Sequence, residues 1–144
     1  MTKKVCLVIG AGGGIGANIA RKFAIEGYHS CLARRTDQDG LDKWIKNIES
    51  EGGEASGFLI NAIEEGSIEK LIKDIEEGIG PIDTLVYNLG AQTGMKLLDQ
   101  TSLKEFEWGW KMATQGLLEQ PKRFVPLWLI EGRVLCLLPL LPQL

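Results

Sequence analysis

The chain has 144 residues, 44% hydrophobic and 24% charged, which suits one domain around one modest core. Its net charge of −3 offers no basic face for a phosphate backbone, so nucleic-acid binding is set aside. Three cysteines without a CxxC pair, and the single histidine His29, exclude zinc-ligand spacing. Cys6 and Cys31 lie in apolar runs and read as buried structural thiols. The apolar run that follows Met1–Lys4 is too short for a signal peptide, and a cytoplasmic setting is the expectation. The apolar tail from Phe124 is broken by Pro126, Glu131, Arg133, Pro139 and Pro142, whereas a bilayer span wants about twenty clean apolar residues, so no membrane association is expected.

In chain order, Val5–Ile9 is a short β-branched run and predicts a buried strand. Five glycines fall within Gly10–Gly16. Ile15, Ile19 and Phe23, with Ala20 and Ala24 beside them, then mark one helical face, and Gly27 is its expected stop. A second strand is predicted around Ser30–Ala33 and a loop over Arg34–Gly40. Leu41, Trp44, Ile45 and Ile48 form a second helix closed by Gly52 and Gly53. Ala55–Ile60 predicts a third strand. Ser67 is the expected N-cap of a third helix whose apolar stripe is Ile68, Leu71, Ile72 and Ile75. Thr84–Tyr87 predicts a fourth strand. Ser102 and Glu105 have capping-box spacing, ahead of a fourth helix running on through Phe106, Trp110, Ala113 and Leu117. Gly132–Leu138 is a candidate fifth strand. This strand and helix alternation predicts an α/β fold, a Rossmann-like, doubly wound parallel sheet of about five strands. Residues 1–132 read as the dinucleotide-binding domain and residues 133–144 as an atypical apolar tail.

The turn Gly10-Ala11-Gly12-Gly13-Gly14-Ile15-Gly16 joins the first strand to the first helix. Free N–H groups at that helix N-terminus carry partial positive charge, and a pyrophosphate reaches them only where side chains do not block the backbone. Gly10 is read as allowing the sharp exit from the strand, Gly14 as clearing space, and Gly16 as letting the helix pack closely. The competing reading is a flexible glycine loop. The GxGxxG spacing fails because Ile15 holds its third glycine place; GxxxGxG fits at Gly10, Gly14 and Gly16.

Read as GAGGGIG, this turn resembles the cofactor turn of the short-chain dehydrogenase/reductase family, and the likeness extends from about Lys4 to Gly116. In that family the end of the second strand discriminates between nicotinamide cofactors, an acid there serving NAD. Here those places are Arg34 and Arg35, which can grip a 2′-phosphate, so the resemblance implies NADP. Asn61-Ala62 stands where the family places an Asp that accepts from adenine, and Asn61 keeps a carbonyl acceptor. Tyr87-Asn88-Leu89-Gly90 resembles the family's NNAG motif; Asn88 is expected to brace strand ends and Gly90 to pass close to the cofactor. The expected cofactor-binding residues are Gly10, Gly13, Gly14, Ile15, Gly16, Arg34, Arg35, Asn61, Ala62, Asn88 and Gly90. No metal ligand is expected.

The resemblance also implies a catalytic set that these residues do not supply. The family's helix asparagine falls at Ala113, and the stretch where its serine belongs reads Cys136-Leu137-Leu138-Pro139. No YxxxK segment occurs; Tyr28 belongs to the wrong end of the sheet, and the place four after Tyr87 is Ala91. The expectation is an NADP-dependent oxidoreductase of the short-chain type that is not catalytically competent as this chain. Two alternatives stand beside it: an NADP(H)-binding or regulatory chain that pairs with a copy of itself or a full-length relative, and an unstable, alternatively ended product.

Overall fold

The computed structural model describes residues 3–89, 96–115 and 134–137. Five strands form one parallel sheet in the order β3-β2-β1-β4-β5. They are β1 (Val5–Ile9), β2 (His29–Arg34), β3 (Glu54–Leu59), β4 (Ile82–Tyr87) and β5 (Val134–Leu137). Helices α1 (Ile15–Ile25), α2 (Gln38–Ser50) and α3 (Ser67–Gly78) make the crossovers among the first four strands. Helix α4 (Leu103–Trp110) follows β4 and runs into a π-helical turn over Lys111–Gln115.

Strand β1 is buried along all five residues because both faces of the sheet are covered. Its alternation divides the core in two. Val5, Leu7 and Ile9 point to the side of α3 and pack with Ile68, Ile72 and Ile75, while Cys6 and Val8 point to the side of α1 and α2 and pack with Ala17, Ala20, Leu41 and Ile48. The stripe expected on α3 is buried in full.

On α1 the expected Ala20 and Ala24 are buried and the expected Ile15 is not. Gly16, Ala17, Ala20 and Ala24 lie against the sheet, Ile19 and Phe23 flank it, and Ile15 is 52% exposed. Small residues on the sheet side let the helix axis come close, which seats the start of α1 directly beyond β1. Helix α2 begins three residues before the expected Leu41. Asp37, in left-handed backbone at φ 71°, caps it by accepting a hydrogen bond from the Gly40 N–H at 2.9 Å. Ser67 is not the cap of α3: Gly66 is, at φ 78°, and the Ser67 hydroxyl instead donates to the Asn61 carbonyl at 2.7 Å. The capping box of α4 forms as the spacing predicts, with Ser102 and Glu105 each bonded to the other's backbone N–H. Helical structure runs on from α4 as a π-helical turn through Ala113 to Gln115, the expected Leu117 lies outside the described residues, and Leu103, Phe106 and Trp110 remain exposed among the described residues.

Candidate functional site

Parallel strands all end on the same edge, and the turns beyond β1, β2, β3 and β4 meet there. This is the topological switch point of the sheet, since the chain runs outward from β1 through β2 to β3 and then crosses back to β4 on the other side of β1. At that edge the Gly10 and Ala11 N–H groups both donate to the Ala33 carbonyl at 2.9 Å, tying the glycine turn to the end of β2. Gly10 has φ +89°, and a Cβ there would stand 2.5 Å from the Asn88 carbonyl oxygen. A Cβ on Gly16 would collide with the Gly10 carbonyl oxygen and stand 2.8 Å from Asn88 Nδ2. These two glycines are therefore required by close approach. Gly12, Gly13 and Gly14 are different: nothing lies within 4 Å of where their Cβ would be, so they leave open space. Helix α1 has no side-chain cap and no acid in its first turn, so its N-terminal dipole faces that space unneutralised.

Asn88 holds the turn from the other side. Its backbone N–H donates to the Ile9 carbonyl at 2.8 Å and its side-chain amide to the Gly10 carbonyl at 3.1 Å. The residue is 7% exposed, and among the described residues its Oδ1 has no hydrogen-bond partner. A buried acceptor left open beside a glycine-lined space is a place for a donor from a bound molecule.

The space is a cleft of about 370 Å³ lined by Gly10, Gly12, Gly14, Ile15, Gly16, Arg34, Arg35, Thr36, Asn88 and Leu89. A smaller hollow of about 60 Å³ shares Arg34, Arg35 and Leu89, and adds Ile9, Ala33, Ile60, Ala62, Ile63 and Met112. The two share part of their lining, and the smaller is the more apolar slot. Gly13 and Asn61 line neither. Asn61 is exposed, and its backbone carbonyl takes both the Ser67 hydroxyl and the Glu64 N–H. Gly90 lies outside the described residues. Sequence reasoning left Gly12, Thr36 and Leu89 out of the site. Thr36 could have been found as the next residue after the two arginines, and Leu89 as part of the motif containing Asn88.

The two arginines have different surroundings. The Arg34 side chain is 17% exposed and its Nη2 pairs with Asp37 Oδ2 at 3.0 Å. Arg35 is exposed and makes no hydrogen bond or ion pair with another described residue. Of the tyrosines, Tyr28 precedes β2 and donates to Asp83 at 3.2 Å, at the opposite edge of the sheet from the cleft. Tyr87 is 3% exposed; its hydroxyl donates to the Met112 carbonyl at 2.7 Å, and burial pushes its pKa up to about 12. Burial also pushes the Cys31 thiol up to about 12, which leaves it inert at neutral pH. Among the described residues no helix is long and apolar enough to cross a membrane.

A parallel sheet whose switch point carries a glycine turn and a bare helix N-terminus defines the class of dinucleotide-binding α/β proteins. The family model for short chain dehydrogenase matches residues 4–136, and the chain belongs to the short-chain dehydrogenase/reductase family, whose members bind nicotinamide dinucleotides. It is 31% identical over 104 residues to 2-dehydro-3-deoxy-D-gluconate 5-dehydrogenase of Formosa agariphila, covering 72% of this chain and 37% of that protein. Among solved structures, a metagenomic short-chain oxidoreductase in complex with NADP matches with a TM-score of 0.83 and 25% identity, over 93% of this chain and 61% of the other. A variant of actinorhodin polyketide ketoreductase with NADPH matches with a TM-score of 0.79 and 28% identity, over 90% and 50%. The chain thus spans less than two thirds of each of these proteins.

Proposed function

We propose that this chain binds NADP(H) in preference to NAD(H), and that by itself it binds without turnover. The observation that carries the cofactor choice is the pair Arg34 and Arg35 at the end of β2, where an acid would favour an unphosphorylated ribose. The cradle fits the rest of the molecule. The N-terminus of α1, with Gly12 and Gly14 open before it, would hold the pyrophosphate. The apolar slot beside Ile60, Ala62 and Ile63 would hold the adenine, and Arg35 with Thr36 would take the 2′-phosphate. When bound, NADPH supplies the hydride in this family's chemistry.

The protein's task in such chemistry is to meet the charge that builds on a carbonyl oxygen with a donor of tuned pKa. Tyr87 is a poor candidate for that donor. Its proton is already given to Met112, and its pKa is moved away from neutrality. Ala113 brings no polar side chain to the π-helical turn. Two solved neighbours carry NADP or NADPH, which supports the cofactor reading by likeness.

The test follows NADPH fluorescence and absorbance with the purified chain and a panel of aldehydes and ketones. The expected result is saturable binding with no oxidation of the cofactor. Steady oxidation that requires the protein would refute binding without turnover, and no binding by a folded sample would refute the cofactor reading.

A further inference from the structure

The starts of β2 and β3, at the opposite edge of the sheet from the cleft, carry side chains that the cofactor reading does not use. His29 opens β2 and Glu54 opens β3, and the parallel register sets them side by side, with Ser56 beside Cys31 two places on. Alternation puts His29, Glu54 and Ser56 on one face of the sheet. The His29 Nε2 stands 2.8 Å from the Ser56 Oγ, and its Nδ1 stands 3.4 Å from Glu54 Oε2. An ionised carboxylate only accepts, so the ring proton belongs on Nδ1, facing Glu54, and Nε2 accepts from the Ser56 hydroxyl. The other Glu54 oxygen pairs with Lys3, and Lys3, ahead of His29, holds the Glu54 carboxyl below its ordinary range. The His29 side chain is 17% exposed and Ser56 is half-buried, which leaves the pair near the surface. Strand β3 is an outer strand and bonds to β2 through alternate residues. The Ile60 N–H donates to the Arg34 carbonyl, so the Ser56 N–H faces β2 in the same way and the Gly57 N–H points out from the edge. A backbone donor outside the ladder therefore stands next in the chain to Ser56.

We propose that Ser56, His29 and Glu54 form a second, nucleophilic site that takes the acyl group of a small ester, apart from the nucleotide cleft and independent of the NADP(H) reading. The Ser56 Oγ attacks the ester carbonyl while His29 Nε2 takes its proton. The bond from carbonyl carbon to alkoxy oxygen breaks, and the alcohol leaves with that proton. Water then attacks the acyl-serine and gives a proton to His29, and Ser56 regains it as the acid leaves. The sum is ester and water to acid and alcohol, with no other reactant. The Gly57 N–H is the donor available to the carbonyl oxygen as charge builds on it. Phe58, on the same face as Ser56 and packed at the margin of the core, offers an apolar surface to a short acyl chain. Glu54 acts through His29, as a positioning residue that holds the ring in the required tautomer.

The purified chain would be treated with a fluorophosphonate probe, from which a nucleophilic serine displaces fluoride, and the adduct mapped by peptide mass spectrometry. Hydrolysis of p-nitrophenyl acetate would be followed in parallel for wild type, Ser56→Ala, His29→Gln and Glu54→Gln. The expected result is an adduct on Ser56, hydrolysis that falls to the buffer rate in Ser56→Ala, and a loss of about a hundredfold in His29→Gln. Glu54→Gln should lower kcat with KM unchanged, a split that a merely structural contact would not produce. Wild type without an adduct on Ser56 would overturn the proposal. So would hydrolysis that persists in Ser56→Ala, which would assign the acetyl transfer to Lys3 or another surface group. The mapping uses wild type alone, so it decides the matter even where a substituted chain fails to fold. Neither result bears on dinucleotide binding, which the cofactor titrations test separately.

Discussion

Gly10 and Gly16 do a different job from the glycines between them, and the difference is measurable. Both stand where a methyl group would meet backbone or the Asn88 amide, so Gly16→Ala should destabilise the fold by about 1–3 kcal/mol in urea unfolding. Gly12→Ala should leave stability within about 0.5 kcal/mol, because its Cβ meets nothing within 4 Å, yet weaken dinucleotide binding by placing a methyl in the cleft. Equal loss of stability in both variants would contradict this division of roles. The glycine spacing was legible in sequence because it meets a steric demand that no other residue meets. Asp37 was not legible. A non-glycine residue at positive φ is uncommon, and an aspartate between two apolar segments reads equally well as loop. Its pairing with Arg34 appears only once the cap has turned the chain back on itself.

Among the elements, strands are more legible in the sequence than helix boundaries, for physical reasons. Central parallel strands are apolar on both faces and announce themselves, as Val5–Ile9 does. The face expected on α1 holds at Ala20 and Ala24, with Ile19 and Phe23 at its margin, but Ile15 points to solvent because close approach to the sheet favours small residues. The π-helical turn after Trp110 has no sequence signature; it coincides with the Tyr87 hydroxyl bonding to the Met112 carbonyl, a contact between residues 25 apart. Helix α4 offers a pH test. Lys96, followed by the backbone and hydroxyl of Ser102, lowers the Glu105 pKa from its ordinary 4.5 to about 2. A depressed folded-state pKa contributes stability that is complete above the unfolded value and is lost as pH falls through the folded one. Melting of the wild type should therefore lose an increment between about pH 4.5 and pH 2 that Glu105→Gln lacks. Glu105 is on the surface, so salt should reduce the increment, and parallel pH profiles for the two proteins would show that the capping box carries no such linkage.

For the molecule as a whole, the sheet order brings the turns after four strands to one edge, and everything assigned to the cofactor follows from that convergence. The chain reads as a nucleotide-binding body in which two core halves, separated by β1, fix the glycine turn against Asn88. Fold and family were legible because alternation and the GxxxGxG spacing are long-range, redundant signals. Of the residues that the sequence singles out, Arg34, Arg35 and Asn88 line the cleft, whereas Asn61 and Gly13 line neither hollow. A ligand held across this edge would also stabilise the whole fold, by about 2.7 kcal/mol at a hundredfold excess over Kd. The most direct test is a calorimetric titration of the chain with NADPH and NADH, repeated on Arg35→Ala. The account predicts that NADPH binds more tightly, and that Arg35→Ala loses at least about tenfold in NADPH affinity while NADH is nearly unchanged. Equal affinity for the two cofactors, or an equal loss for both in the variant, would contradict the assignment of the 2′-phosphate to the end of β2.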